Sequence, residues 1–206
     1  MTALKVQIRN TLARDIEGVV ALQRECFPAP FPEELLWQAA HIARHIEIFP
    51  GGQWVAEHEG QIVASCTNLL ISEEHWQAHL NWEETVGGHF LTAHQPEGTT
   101  LYGVDVSVSP DWRGQGIGRR MYEARFEFVR QHALSRYGTA VRMPDYLVQA
   151  QGQSPQAYAE AVVAGTLSDR TLTPLLRMGT QFIGVIENHM DDKESGHAAA
   201  ILEWRP

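Results

Sequence analysis

The sequence predicts a single α/β domain, and three observations support this prediction. Segments that alternate apolar and polar residues, as strands do, are interleaved with segments that have helical apolar spacing. The chain has 206 residues, 44% of them hydrophobic, which is enough to build one core of ordinary size. Neither internal repeats nor a low-complexity segment divides the sequence. We therefore expect residues 1–206 to form one domain, with an inserted excursion at about residues 73–98.

The first part of the chain predicts a strand, two helices and a hairpin. The pattern "LKVQIRN" alternates Val6 and Ile8 with polar neighbours, as a strand does. A helix follows, with Asp15 as its candidate N-cap, and the prolines of "CFPAPFP" end it. A second helix is expected over residues 33–49. Its predicted apolar stripe comprises Leu36, Ala40, Ala43 and Ile46. The segments "QWVAEH" and "QIVASCTNLLI" flank the turn dipeptide "EG" and predict an antiparallel hairpin.

The second part continues with alternating strands and helices. The excursion, rich in histidine, tryptophan and glutamate, has no clean period. The strand "TLYGVDVSV" ends at Pro110, and a helix is expected from Ile117 to about Leu134. "YGTAVRMP" predicts a strand, and "SPQAYAEAVVAG" predicts a helix that begins at Ser-Pro and ends at Gly165. The short helix "TPLLRMG" closes at Gly179, and "QFIGVIENH" and "AAAILEW" predict the last two strands.

Composition argues against two classes of partner. The formal net charge is −9, so the chain lacks the basic excess that nucleic-acid phosphates require, and we expect no nucleic-acid partner. No apolar run approaches the length of a membrane span, and "MTALKVQIRN" lacks the apolar region of a signal peptide. We therefore expect no membrane association and a cytoplasmic location.

The stretch "WRGQGIGRR", residues 112–120, predicts a phosphate site. Three glycines lie between a predicted strand and a predicted helix, hence at a helix N-terminus, where backbone N–H groups lack partners and the macrodipole is positive. Without Cβ atoms an anion can approach these amides closely, and three arginines add positive charge. The glycine spacing matches neither the Walker string G-x-x-x-x-G-K-[ST] nor the dinucleotide fingerprint G-x-G-x-x-G.

Together with the strand before it, this stretch resembles motif A of the GNAT family of N-acetyltransferases, Arg/Gln-x-x-Gly-x-Gly/Ala after a strand. The order of elements fits that family along nearly the whole chain. The resemblance implies a mixed, mostly antiparallel twisted sheet flanked by helices, with acetyl-CoA as the cosubstrate. It also implies that backbone groups of Val106, Ser107 and Val108 bind the pantetheine arm. The residues expected at the pyrophosphate are Arg113, Gly114, Gln115, Gly116, Ile117, Gly118 and Arg119.

Three further segments make the resemblance more specific, to one kind of GNAT domain. "TLYGVDVSVSPDWRGQGIGRRMYEAR", "RMPDY" and "DDKESGHAAAILEW" are similar to the GNAT domain that elsewhere precedes a nitrilase-like carbon–nitrogen hydrolase domain. Because this sequence stops at Pro206, we expect a free-standing relative without hydrolase machinery.

The resemblance also implies the chemistry at the acceptor end, where acetyl transfer requires a neutral amine, an oxyanion donor and a departing thiolate. A backbone N–H near Val106 is the expected oxyanion donor. Asp105 is the candidate base, on the opposite face from Val104 and Val106; the alternative is an acid paired with arginine or capping a loop. The tyrosine that many GNAT enzymes carry four residues before the glycine ending the late helix is Leu175 here.

Tyr146 is the candidate that remains for protonating the thiolate, and Tyr158 is its alternative. A thiolate whose thiol has a pKa of about 8.5 is already a tolerable leaving group, so loss of the tyrosine need not abolish the reaction.

The histidine pairs do not predict a metal site. His41 and His45 are spaced i, i+4, as are His75 and His79, but neither H-E-x-x-H nor CxxC accompanies them. We favour solvated or acceptor-lining histidines and expect no metal.

The expected acceptor is a primary amine of a small molecule, and the excursion is the candidate segment for lining its pocket through Trp76 and Trp82. Its glutamates either attract a cationic amine or form a solvated face; they are Glu73, Glu74, Glu83 and Glu84. Because many relatives dimerise, a homodimer is expected. Two alternatives stay open: a non-catalytic acyl-CoA-binding or sensor module, which Leu175 favours, and a domain that works beside a separate hydrolase.

Overall fold

The computed structural model describes residues 6–29 and 31–206, which form a seven-stranded sheet with helices on both faces. The strands are β1 (Gln7–Asn10), β2 (Trp54–His58), β3 (Gln61–Ile71), β4 (Thr100–Val108), β5 (Arg136–Arg142), β6 (Gln181–Ile186) and β7 (Ala199–Trp204). The α-helices are α1 (Ile16–Cys26), α2 (Ala39–Ile48), α3 (Glu73–Gln77), α4 (Trp82–Val86), α5 (Ile117–Gln131), α6 (Tyr146–Gln149), α7 (Pro155–Val163) and α8 (Leu172–Arg177). The start of the first predicted strand and Pro30 lie outside the described residues.

The strand order is β1-β2-β3-β4-β5-β7-β6, in which β4 and β5 pair parallel and the other neighbours pair antiparallel. The predicted mixed, mostly antiparallel sheet is therefore confirmed. Alternate residues of one strand enter opposite cores: Ile201 packs with α1 and α2, whereas Ala200 and Leu202 pack with α7 and α8. The excursion adds α3 and α4 to the face that carries α1 and α2.

Two irregularities in β4 shape the middle of the sheet. The register between β3 and β4 shifts after the pair Thr67–Asp105, so Val104 is an extra residue and forms a β-bulge. The pairing of β4 with β5 ends at Gly103, and beyond it β5 pairs only with β7. The two parallel strands thus separate, leaving an opening beside the second half of β4.

The bulge corrects the prediction for the face of Val104. Val104 packs against the apolar cluster under α1 and α2, whereas Val106 packs against the cluster under α5. Asp105 receives a hydrogen bond from Gln23 of α1 and so lies on the same side as Val104. Strict alternation fails here because a bulge places an extra residue opposite a single partner.

The second helix also differs from its prediction. Residues 33–35 form a 3-10 turn, and the α-helix runs only over Ala39–Ile48. The alanines of the predicted stripe are exposed, and the buried residues of this helix are His41, Ile42 and His45. The ring of His45 lies edge-on to the buried indole of Trp37, with 4.8 Å between centroids. The buried face of α2 thus combines Ile42 with histidines that pack against Trp37, and His41 and His45 are core residues rather than solvated ones.

Asp15 does not cap α1 with its side chain, contrary to the prediction. Its carboxylate instead accepts hydrogen bonds from Arg9 at 2.6 and 2.8 Å and from the amide of Leu12 at 2.8 Å. The arginine of the first strand offers two donors in a fixed fork, which outcompetes a single helix amide.

Candidate functional site

The glycine turn joins β4 to α5 with its backbone facing solvent. Gly114 and Gly116 have φ values of 74° and 79°, in the left-handed region that residues with a Cβ rarely adopt. A Cβ atom at either position would meet nothing within 4 Å, so packing is not what requires glycine here. The backbone conformation requires it, and the lack of side chains leaves the surface of the turn open.

The amides of this turn are free to bind an anion. Arg120 is the first residue of α5 whose amide bonds back along the chain, to Gly116 O at 3.1 Å. Among residues 6–29 and 31–206, no group accepts a hydrogen bond from the amides between Gly114 and Arg119. Ile117, 3% exposed, anchors the turn in the core under α5. A cluster of unpaired amides at the N-terminus of a long helix is a phosphate-binding arrangement.

Arg113 and Arg119, on either side of the glycines, make only weak competing contacts. Arg113 Nε donates to Val108 O at 3.1 Å, where β4 ends. Arg119 pairs with Glu123 at 2.9 Å, and Gln115 Nε2 donates to Asp111 O at 3.3 Å. The side chains of Arg119 and Glu123 are both exposed, so this pair stabilises little and leaves the guanidinium available to a phosphate.

Asp105 lies on β4 just where β4 and β5 separate. Its Oδ2 accepts hydrogen bonds at 3.0 Å from both Gln23 Nε2 and Ser107 Oγ, and Gln23 also donates to Ser107 at 2.9 Å. Burial raises the pKa of Asp105 to about 6, although the hydrogen bond from Ser107 and the charge of Arg125 oppose the shift. A carboxylate in this state is ionised at neutral pH and takes up a proton readily.

Arg125 of α5 holds the bulge in place, and sequence reasoning missed it. This arginine is 1% exposed, and its Nη2 donates to the carbonyl oxygens of Asp105 at 2.7 Å and Thr67 at 3.2 Å. Its Nε donates to Asn68 Oδ1 at 2.7 Å. Arg125 thus binds the backbone of Asp105 and not its carboxylate, which excludes the alternative of an acid neutralised by direct pairing with this arginine. The sequence feature that could have identified Arg125 is its position on the apolar face of α5, four residues after Met121.

An inner cavity of about 90 Å³ opens between the separated strands. Val104 and Asp105 of β4 form one wall, and Ala140 and Arg142 of β5 form another. The remaining lining residues are Gln23, Phe27, Phe31, Leu35, Trp37, Trp82, His189 and Met190. This cavity therefore places an ionisable carboxylate among mainly apolar and aromatic side chains.

An outer cavity of about 510 Å³ adjoins the inner one and shares Leu35, Trp82, His189 and Met190 with it. The excursion and the loop between β6 and β7 form its walls. The end of β5 holds this loop, since Arg142 donates to both carboxylate oxygens of Asp192, at 2.6 and 2.7 Å, and to Glu194 at 3.0 Å. These acids compensate the charge of Arg142.

The structure does not bring Tyr146 together with Asp105. The hydroxyl of Tyr146 donates to Gln153 O at 2.8 Å, and that of Tyr158 donates to Asp169 at 3.2 Å. Neither tyrosine lines the inner or the outer cavity. Leu175 is buried in the core under α7 and α8. Protonation of a thiolate by Tyr146 stays a prediction from the sequence.

In the part of the chain that the structure describes, no three or more histidine, cysteine, aspartate or glutamate side chains are grouped to hold a metal ion. None of the helices in residues 6–29 and 31–206 has the length and apolar character that crossing a membrane requires.

Comparison with curated proteins finds two close relatives, both from Bacillus subtilis (strain 168). The chain is 38% identical over 198 residues to "Uncharacterized N-acetyltransferase YkwB", covering 96% of this chain and 88% of that protein. It is 34% identical over 201 residues to "Probable hydrolase YhcX", covering 97% of this chain but only 38% of that protein. The expected relation to GNAT domains fused to nitrilase-like hydrolases stays a prediction.

Solved structures share the fold. The GphF GNAT-like decarboxylase in complex with isobutyryl-CoA is 26% identical, with a TM-score of 0.78 over 97% of this chain and 98% of that chain. The loading GNATL domain of CurA from Lyngbya majuscula is 18% identical, with a TM-score of 0.80 over 97% of both chains. Residues 16–150 match the family model described as "Acetyltransferase (GNAT) family". The chain therefore belongs to the GNAT acetyltransferase family.

Proposed function

We propose that the protein transfers an acetyl group from acetyl-CoA to the primary amine of a small molecule. Membership of the GNAT family supports acyl transfer as the reaction class. The observation that carries the proposal is the position of Asp105, a carboxylate with a pKa of about 6 in the wall of a cavity beside the separated strands. The glycine turn at the far end of the same strand supplies a matching anion site.

The chain's own groups fit coenzyme A as the carrier. The free amides from Gly114 to Arg119 would hold the diphosphate, and the unpaired edge of β4 beyond Gly103 would bind the extended pantetheine arm. The GphF structure was solved with isobutyryl-CoA, which supports a CoA thioester as the donor.

The proposed reaction removes two protons from the acceptor nitrogen and exchanges one bond at the acyl carbon. Asp105 accepts a proton from the ammonium group of the acceptor, directly or through water, and so supplies a neutral amine. The amine nitrogen then bonds to the thioester carbon, and a backbone N–H near Val106 stabilises the oxyanion. The nitrogen of the addition intermediate releases its second proton to water, the carbon–sulfur bond breaks, and the thiolate departs with its electron pair. Since no tyrosine in the described part of the chain lines the inner cavity, we propose that the thiolate leaves without a tyrosine proton and takes one from water later.

Decarboxylation of a carboxylated acyl-CoA is the second candidate. The GphF decarboxylase matches nearly the whole chain with a TM-score of 0.78, whereas the ribosomal-protein-S18-alanine N-acetyltransferase from Escherichia coli matches with 0.57. In this reaction the bond to the carboxylate carbon breaks and CO₂ leaves. The electron pair stays on the α-carbon as a thioester enolate, which takes up a proton.

One experiment separates these functions. The protein is incubated with acetyl-CoA and pooled primary amines, with detection of CoA thiol, and in parallel with malonyl-CoA alone, with mass spectrometry of the acyl-CoA. Acetyl transfer predicts thiol release that requires an amine and is lost in Asp105→Asn. Conversion of malonyl-CoA to acetyl-CoA without an amine would instead establish decarboxylation. Tight CoA binding without either reaction would favour a non-catalytic binding module.

A further inference from the structure

Three histidine side chains fasten the excursion to α2 and β3. His41 and His45 lie on the buried face of α2, and His94 lies in the excursion itself. Nε2 of His45 is 2.7 Å from the carbonyl oxygen of His89, which also belongs to the excursion. Nδ1 of His94 receives a hydrogen bond from the amide of Leu70 on β3, at 3.1 Å. Imidazole groups therefore hold the excursion at two separate places.

The hydrogen bonds of these three imidazoles require the neutral form, with Nδ1 unprotonated. Since a carbonyl oxygen can only accept, Nε2 of His45 carries the proton, and its buried Nδ1 has no hydrogen-bond partner in the described structure. Nδ1 of His41 accepts from the amide of Gln38 at 3.1 Å. Nδ1 of His94 likewise accepts from a backbone amide. A second proton on any of these nitrogens would break an accepted hydrogen bond or place an unpaired N–H in the interior.

No carboxylate of the described residues compensates an added charge at these three positions. The groups that act electrostatically on His45 are His41 and His89, whose charged forms would repel a proton there. The rings of His41 and His89 are 4.9 Å apart between centroids, so His41 experiences the same repulsion. On the β3 side, Cys66 lines a small pocket with His45, and burial raises the pKa of its thiol, which stays uncharged. Burial lowers the pKa of all three histidines, that of His45 to about 4.

We propose that the excursion is an acid-released wall: protonation of His41, His45 and His94 frees it from α2 and β3 while the sheet and α5 keep their fold. The release acts on the candidate site because Trp37 packs against both His45 and Trp82 of the excursion, and both indoles line the inner cavity. The glycine turn follows the C-terminal end of β4 and contains none of these histidines. Acid thus removes a wall of the inner cavity and leaves the anion site in place.

The pH range of the release follows from the direction of the pKa shifts. A freed histidine has a pKa of about 6.5, above its value in the fold, so the fastening is fully stable above about pH 6.5 and weakens as the pH falls toward the folded value. Because the folded-state pKa of His45 is about 4, release should be about 30-fold more favourable at pH 5 than at pH 8 through His45 alone. His41 and His94 act in the same direction.

Hydrogen exchange of the whole protein, followed by mass spectrometry between pH 4.5 and pH 8, tests the release. After correction for intrinsic exchange rates, amides that are hydrogen-bonded within the excursion should lose protection by about 30-fold or more between pH 8 and pH 5. The amides of α5 should stay better protected than these throughout. Equal protection of the excursion and α5 at pH 5 would mean global unfolding and would overturn the proposal, as would an excursion whose protection does not change with pH.

A variant that keeps the hydrogen bonds but cannot be protonated assigns the effect to these histidines. In His41→Asn and His94→Asn the amide oxygen replaces Nδ1 as acceptor, and in His45→Gln the amide nitrogen replaces Nε2 as donor. The triple variant should keep the excursion protected at pH 5, whereas His132→Asn, at an exposed position after α5, should open as the wild type does. If the triple variant does not fold, His45→Gln alone should lessen the acid-dependent loss by about 30-fold. A loss as large as that of the wild type in either variant would overturn the proposal.

Discussion

Two opposing influences determine the pKa of the Asp105 carboxylate. Burial favours its protonated form, and the hydrogen bonds from Gln23 and Ser107 favour its charged form. Burial prevails, which sets the pKa at about 6 instead of below 4. The balance suits a general base, because a carboxylate with an ordinary pKa accepts protons too weakly at neutral pH.

Asp105→Asn should reduce amine-dependent release of CoA thiol by about 100-fold or more, since it removes the proposed base. The wild-type rate should rise with pH about a midpoint near 6, because the base works in its deprotonated form. Ser107→Ala is the matched variant: it removes a hydrogen bond to the charged carboxylate and should move this midpoint upward. Wild-type rates in Asp105→Asn across the pH range would exclude Asp105 from the mechanism.

Asp105→Asn should also stabilise the fold, by an amount that depends on pH. The folded-state pKa of about 6 exceeds the value of about 3.9 in an unfolded chain, so ionising Asp105 above pH 6 costs folding free energy. Below about pH 4 both states hold the proton and the cost vanishes. Melting temperatures of Asp105→Asn should therefore exceed those of the wild type by roughly 5–10 °C at pH 8 and converge with them at acidic pH. A constant difference at all pH values would contradict this account.

The separation of residues along the chain explains which residues of the candidate site can be identified from the sequence. Asp105 is identified because its offset from the glycine turn can be counted along one strand. Gln23 lies 82 residues from Asp105, and Arg125 lies 57 residues from Asn68, so no local pattern joins these partners. Only the fold brings them together.

At the scale of elements, the local sequence pattern is enough to predict where β4 and α5 begin. Both elements begin at their predicted residues, Thr100 and Ile117. The bulge within β4 is not visible in the sequence, because the side chain that binds the carbonyl oxygens beside it, Arg125, belongs to another element, α5. The buried face of α2 is likewise not visible in the sequence, since His41 and His45 are covered by Trp37 and by residues of the distant excursion such as His89.

Gly116→Trp should weaken CoA binding strongly while the fold persists. The indole would lie over the free amides and block them, whereas the backbone strain of a left-handed tryptophan costs only about 1–2 kcal/mol. Gly60→Trp is the matched control, because Gly60 also has a left-handed φ of 86° and open space around it, in the turn between β2 and β3. Calorimetric titration with CoA should show a large loss for the first variant only. Equal affinities in both variants would exclude the glycine turn as the phosphate site.

Arg125→Met should destabilise the fold by about 3 kcal/mol, because it leaves buried oxygens of Thr67, Asn68 and Asp105 without donors. Arg130→Met, which removes an exposed arginine from the same helix, should cost less than about 1 kcal/mol. Urea unfolding of both variants measures the difference. Similar losses in the two would mean that the buried hydrogen bonds of Arg125 do not hold the bulge.

At the scale of the whole molecule, the site is assembled from segments far apart in the chain. Leu35, Trp82 and His189 meet at the boundary of the two cavities, and Asp105 reaches them from the centre of the sheet. The order of strands and helices could be predicted, and so could the strand–turn–helix unit at the glycines. The cavities could not, because they depend on how the excursion and the β6–β7 loop pack against each other.

Under the proposed function coenzyme A binds the folded state at both the separated strands and the glycine turn, so it should stabilise the whole domain. At about 100 times its dissociation constant a ligand adds about 2.7 kcal/mol, which for a domain of this size raises the melting temperature by roughly 5–10 °C. Pantetheine, which lacks the diphosphate, should give a much smaller shift at the same concentration. In Gly116→Trp the shift with CoA should fall to the pantetheine level, because the variant blocks only the amides of the turn. Equal shifts with CoA and pantetheine in the wild type would place the binding energy in the strand gap and exclude an anion site at the start of α5.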